Sequence, residues 1–156
     1  MKKSLFNIAL IIILFTLISS CDKKVVYNNF TPIANTTWNK DSLLKFEVPV
    51  TDTLKMHRFF INVRNDIDYK YSNLWLFVKI TQPGDTTVTD TFEVTLADPA
   101  GKWLGCWFGG FKTTENLYRG SVYFPKSGVY EIQIQHGMRG KILEGISDVG
   151  IKIEQQ

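Results

Sequence analysis

The feature that most narrows the fold of this chain is a two-residue alternation of apolar and polar side chains, repeated in short runs with turn residues between them. Leu44, Phe46 and Val48 alternate with Lys45 and Glu47, and Pro49 ends the run. Phe59, Ile61 and Val63 alternate with Phe60, Asn62 and Arg64, and Tyr130, Ile132 and Ile134 with Glu131, Gln133 and Gln135. Successive side chains of a strand point to opposite faces, so this period buries one face of a sheet and wets the other. Leu74, Leu76, Val78 and Ile80 share one face of a further run whose other face carries Trp75, Phe77 and Lys79. With both faces largely apolar, that run belongs in the middle of a sheet. Val88–Leu96, Tyr118–Phe124 and Val149–Ile153 read as strands too.

Pro83-Gly84-Asp85, Asp98-Pro99-Ala100-Gly101, Gly109-Gly110, Lys126-Ser127-Gly128 and Gly137 punctuate these runs. Beyond the N-terminal segment no stretch sustains a 3.6-residue period; short helical turns are expected at most near Ile33–Trp38 and Thr113–Leu117. Seven to eight short strands predict an all-β, antiparallel β-sandwich, jelly-roll-like, with a closed barrel as the alternative. Within it, Tyr123 to Tyr130 reads as a corner: Gly128 takes the turn conformation, and Tyr130 packs inward with its hydroxyl bonded to backbone.

The N-terminus obeys a different pattern. Lys2 and Lys3 precede an apolar run, Leu5–Ile18, broken only by Asn7 and Thr16. As a helix this run would span roughly 21 Å, short of the roughly 30 Å of a bilayer core. Ser19 and Ser20 supply the small residues of a cleavage site, and Cys21 follows at once. Leu17-Ile18-Ser19-Ser20-Cys21 resembles the lipobox of bacterial lipoproteins, in which a diacylglyceryl group is added to the cysteine sulfur before cleavage. The expected organisation is a signal peptide over 1–20, the lipidated cysteine and a tether over 21–32, and the sandwich over 33–156. Two acyl chains make a stable anchor where one is marginal.

Charge and chemistry exclude several functions. The full chain carries +3, and loss of Lys2 and Lys3 brings the mature part to about +1, with no basic stripe for nucleic acid. His57 and His136 lie in no zinc-binding spacing and are expected to hydrogen-bond structurally; no metal or cofactor is expected. Asp66 with Asp68, and Asp85 with Asp90, match no calcium loop and read as solvated turns. No nucleophile elbow, phosphate loop or dinucleotide fingerprint occurs, so a non-enzymatic protein is expected. With Cys21 lipidated, Cys106 has no partner in the chain and is expected as a small buried residue, an intermolecular disulfide or reactive thiol being the alternative.

One segment stands apart: Trp103-Leu104-Gly105-Cys106-Trp107-Phe108-Gly109-Gly110-Phe111. Its rings either cover one end of the core or form a platform for a partner protein or a sugar. Trp103, Trp107 and Phe108 are the candidate contact residues. Trp103 is expected to be the more buried tryptophan and Trp107 the more exposed, with Gly105 bending the chain between them.

Several short strings, in order, resemble the GldH family of gliding-motility lipoproteins of Bacteroidetes. They are Arg64-Asn65; Tyr69-x-Tyr71-x-Asn73-Leu74-Trp75-Leu76; Asp90-Thr91-x-Glu93 running into Leu96-Ala97-Asp98; Gly101-x-Trp103-Leu104-Gly105; Phe124-Pro125-x-x-Gly128-x-Tyr130; and His136-x-Met138-Arg139. The resemblance implies a membrane-anchored, non-enzymatic part of the gliding machinery linked to type IX secretion, with other envelope proteins as partners and no catalytic residues to transfer. It also implies the outer membrane. Asp22-Lys23-Lys24 lacks an acidic run after the cysteine, which points to the periplasmic face. The alternative is a glycan-binding envelope lipoprotein using the aromatic loop.

Overall fold

The computed structural model describes residues 25–156; the expected signal peptide, the lipid acceptor Cys21 and residues 22–24 lie outside the described residues. Among the described residues, eleven strands and one short 3-10 turn make up the regular structure. They are β1 (Val25–Pro32), the turn Ala34–Thr36, β2 (Thr37–Asn39), β3 (Leu44–Val50), β4 (Met56–Asn65) and β5 (Asn73–Thr81). There follow β6 (Thr87–Thr95), β7 (Cys106–Phe108), β8 (Phe111–Tyr123), β9 (Gly128–His136), β10 (Ile142–Glu144) and β11 (Ile146–Gln155).

Eight of these strands form two antiparallel sheets in the orders β1-β11-β4-β8 and β3-β9-β5-β6. Every main connection except the β5–β6 hairpin crosses from one sheet to the other. This is the jelly-roll arrangement. Two separate sheets with free edges exclude the closed barrel. β7 adds a fifth strand outside β8, and β2 pairs with β10 as a small ribbon.

The alternation explains the layers. Leu74, Leu76 and Val78 of β5 and Ile132 and Ile134 of β9 are buried in one cluster with Phe59, Ile61 and Val63 of β4 and Val149, Ile151 and Ile153 of β11. Each such side chain stabilises the fold by about 1.5–3 kcal/mol when fully buried. A surface ion pair contributes about 0–1 kcal/mol, so the core decides the fold and the outer faces adapt to it. β5 lies between β9 and β6, an inner position as its two-sided apolarity predicts.

Three local expectations are corrected. Residues 25–32, expected within the tether, are strand β1, paired along its length with β11. Its seat is a glycine: Phe30 lies opposite Gly150, where a Cβ would come 2.7 Å from the ring, and the Arg64 guanidinium sits 4.0 Å above that ring. An aromatic ring laid on a strand glycine covers exposed backbone and holds the pair in register. Thr113–Leu117 is strand, not a helical turn, because it pairs with β4 through Asn62↔Glu115 and its neighbours. Cys106 is exposed on β7 rather than buried, because β7 is the outermost strand of its sheet.

Strand register divides the molecule into two ends. β1 begins at one end, beside the close of β11, the start of β4 and the end of β8, through Val25↔Glu154, His57↔Gln155 and Met56↔Tyr123. We call this the tether end. The other, the hairpin end, gathers β2, β10 and the Leu96–Phe111 connection, because Asn73↔Thr95 and Asn65↔Lys112 lie there.

Candidate functional site

The aromatic segment is built by its glycines. After β6, the Asp98 carboxylate accepts hydrogen bonds from the backbone N–H groups of Ala100 (2.9 Å) and Lys102 (2.8 Å), closing a tight loop. The Leu104 N–H then donates to the Leu96 carbonyl at 2.8 Å. This return holds Trp103 against the domain, bridged to Ala97 and with its ring centroid 6.3 Å from that of Tyr69. Trp103 is thus partly buried against the core.

At Gly105 the chain turns outward. Its φ is +75°, and a Cβ there would lie 2.1 Å from the Thr113 carbonyl oxygen, a separation no side chain tolerates. β7 then pairs with the start of β8, Cys106↔Thr113 and Phe108↔Phe111. Gly109 (φ +59°) and Gly110 (φ +86°) close this ribbon. Positive φ at both central residues is the geometry of a two-residue hairpin turn that matches strand twist.

The result is a short ribbon with apolar side chains in water. Trp107 is 52% exposed and Phe108 80% exposed. As strand neighbours they project from opposite faces, so the ribbon cannot bury both on its own domain. Lys112 restrains it: its ammonium lies 5.0 Å from the Trp107 ring centroid and donates to the Gly105 carbonyl at 3.1 Å. The candidate contact residues therefore separate, with Trp107 and Phe108 outside and Trp103 against the core. Cys21 lies outside the described residues.

The tether end carries a second exposed apolar set, which the alternation does not flag. Val26, Leu54, Met56 and Tyr123 are all exposed, Leu54 at 84%. Leu54 and Met56 flank Lys55, whose ammonium is 3.3 Å from the Asp52 carboxylate. The only signal in the sequence is two large apolar residues in an otherwise polar connection.

The edges of β6 and β8 frame a mostly apolar cleft of about 320 Å³, lined by Phe59, Ile80, Val88 and Val122 among others. Tyr118 also lines it; its hydroxyl donates to the Asp90 carboxylate at 3.1 Å, and Arg119 pairs with the same group. Burial, then the Asp90 charge, pushes the Tyr118 phenol up to about 12. It stays protonated and straps the two sheet edges together.

Both histidines are buried. His57 lies edge-on to Phe124 with centroids 5.3 Å apart, and His136 edge-on to Trp38 at 5.3 Å. Burial, followed by the nearby Lys40 charge, lowers the pKa of His136, which is neutral at pH 7. Among the described residues, no group of three or more His, Cys, Asp or Glu side chains is placed to hold a metal ion. Asp66 caps a local turn by accepting from the Asp68 N–H at 3.0 Å. No helix among them is long and apolar enough to cross a membrane.

Comparison with known proteins gives a consistent result. The family model for the GldH lipoprotein matches residues 25–153. The gliding motility lipoprotein GldH homolog of Christiangramia forsetii is 42% identical over 160 residues, covering 98% of this chain and 98% of its own. The gliding motility lipoprotein GldH of Flavobacterium johnsoniae is 36% identical over 157 residues, covering 96% and 97%. Among solved structures, tripeptidyl peptidase 2 matches over 82% of this chain with a TM-score of 0.43 and 9% identity; the chain spans 10% of that one, and the likeness carries no argument.

Proposed function

The chain belongs to the GldH lipoprotein family, and from that premise we propose that it is a non-enzymatic component of the gliding-motility envelope machinery. It is anchored in the outer membrane through lipid on Cys21, on the periplasmic face, and binds other envelope proteins through the β7–β8 ribbon. The observation that carries the reading is 42% identity to a gliding-motility lipoprotein homolog with 98% of both chains covered.

The ribbon is the contact surface in this reading because of its physical state. Exposed Trp and Phe on a backbone pinned by a tight turn lose little entropy on docking, and aromatic side chains dominate binding energy where they are well placed. A protein partner is favoured over a glycan because Lys112 stands over the Trp107 ring. That position hinders the flat stacking a sugar needs, while the cation and ring together suit a mixed protein surface.

The test uses tagged full-length lipoprotein extracted from envelope membranes, beside the variants Cys21→Ser and Trp107→Ala/Phe108→Ala. The expected result is co-purification of gliding-machinery proteins with the parent and a several-fold loss with the double variant. Cys21→Ser should lose acylation and membrane retention. A Cys21→Ser protein still acylated to the same extent overturns the anchoring; unchanged partner recovery with the double variant overturns the ribbon as the contact.

A further inference from the structure

We propose that the tether end of the sandwich seats directly on the lipid bilayer, with Val26, Leu54, Met56 and Tyr123 at the headgroup boundary. The domain then stands end-on with its aromatic ribbon turned away from the membrane. This rests on lipidation of Cys21.

Both ends expose apolar side chains, so apolarity alone does not choose between them. Chain length does. Only residues 22–24 separate Cys21 from the first residue of β1. Fully extended, four residue steps span at most about 14 Å. The start of β1 is therefore held within that reach of the lipid, however those residues are arranged. β1 pairs with β11 from Val25 to Pro32, interrupted only by a bulge at Val26, so the strand cannot peel away to lengthen the leash without losing its pairing.

The surface brought to the membrane is suited to it. Met56 and Tyr123 are cross-strand partners, and Val25 opposite Glu154 continues the same edge of the sheet. From β1 to β8 is three strand spacings, roughly 14 Å, a compact footprint. Leu54 projects from the loop ahead of β4. Lys55 between Leu54 and Met56 keeps its charge at headgroup level while its stem lies along apolar surface. Tyrosine, apolar with a polar tip, suits the same boundary.

Lying on the outer face of the β1-β11-β4-β8 sheet is disfavoured. That face carries the pairs Arg58–Glu154, Lys152–Glu115 and Arg64–Asp148, whose desolvation costs more than their attraction returns. In the end-on pose, β1 alone spans roughly 24 Å. The ribbon at the opposite end thus stands clear of the headgroups and free for a protein.

The test places an environment-sensitive fluorophore at one of two highly exposed positions, Leu54→Cys or Phe108→Cys, each with Cys106→Ser. The full-length lipidated protein is reconstituted in phosphatidylethanolamine–phosphatidylglycerol vesicles doped with a quencher-bearing lipid. Mass spectrometry of the N-terminal peptide is read on the same samples. The proposal expects a lipidated Cys21 and several-fold stronger quenching at position 54 than at 108. Lipidated Cys21 with equal quenching, or stronger quenching at 108, overturns the seating and leaves the anchor standing. An unlipidated Cys21 overturns both.

Discussion

At the tether end, Phe124 lies edge-on to the buried His57 at 5.3 Å and to Tyr130 at 5.0 Å. At the hairpin end, Trp38 lies edge-on to the buried His136 at 5.3 Å. Both ends of the core are thus closed by an aromatic ring against a histidine. They differ in what lies beyond. The Tyr130 hydroxyl ties the tether-end corner by donating to the Lys126 carbonyl (3.0 Å) and accepting from the Lys126 N–H (3.2 Å). Beyond Trp38, the chain throws out a ribbon whose tip is packed by nothing in the domain. Stability is stored in the rings that close the core, and in the proposed function recognition falls to rings that do not.

Breaking the closures should have the largest effect. Phe124→Ala and Trp38→Ala should each cost about 3–5 kcal/mol in urea unfolding, as large-to-small core substitutions do. A loss below about 1 kcal/mol at either would mean that end is not sealed as described. Next in size is Gly105→Ala, which forces a Cβ onto the Thr113 carbonyl at positive φ. It should cost about 1–3 kcal/mol. The damage should stay at the hairpin end, read as faster amide exchange in Cys106–Thr113 with exchange in β9 unchanged.

A smaller effect is the pH dependence that His136 contributes. The pKa of His136 in the fold lies below its ordinary 6.5, so the unfolded chain takes up the proton first. His136 therefore contributes stability above about pH 6.5 that is progressively lost as pH falls below it. His136→Phe should flatten this part of the profile in urea unfolding compared at about pH 7.5 and about pH 5.5. An undiminished drop in that variant would assign the pH dependence elsewhere.

The sandwich was legible because most of its strands bury one face each. β3, β4, β5, β6, β9 and β11 all show the alternation, and the C-terminal half of β8 shows it too. β1 was not legible: it is an edge strand held by backbone pairing and by one ring on Gly150, and Asn28-Asn29 gave it the polar look of a tether. The N-terminal half of β8 was missed for a related reason, its strand conformation being imposed by β4 and not by its own pattern. The outward bend at Gly105 could be anticipated from glycine placement. The exposure of Cys106 could not, because nothing local says which strand will be outermost. The tether-end set was invisible because Leu54 and Met56 come to the same end of the sandwich as Val26 and Tyr123 only after folding.

The central contrast, rings that close the core against rings that stand outside it, is tested most directly by urea unfolding of the Trp107→Ala/Phe108→Ala double variant beside the parent domain. Exposed side chains away from the core change stability by no more than about 0.5 kcal/mol each. The account therefore predicts a midpoint shift worth no more than about 1 kcal/mol with an unchanged slope. A loss above about 3 kcal/mol would contradict it, by showing that the ribbon closes the core as Phe124 and Trp38 do.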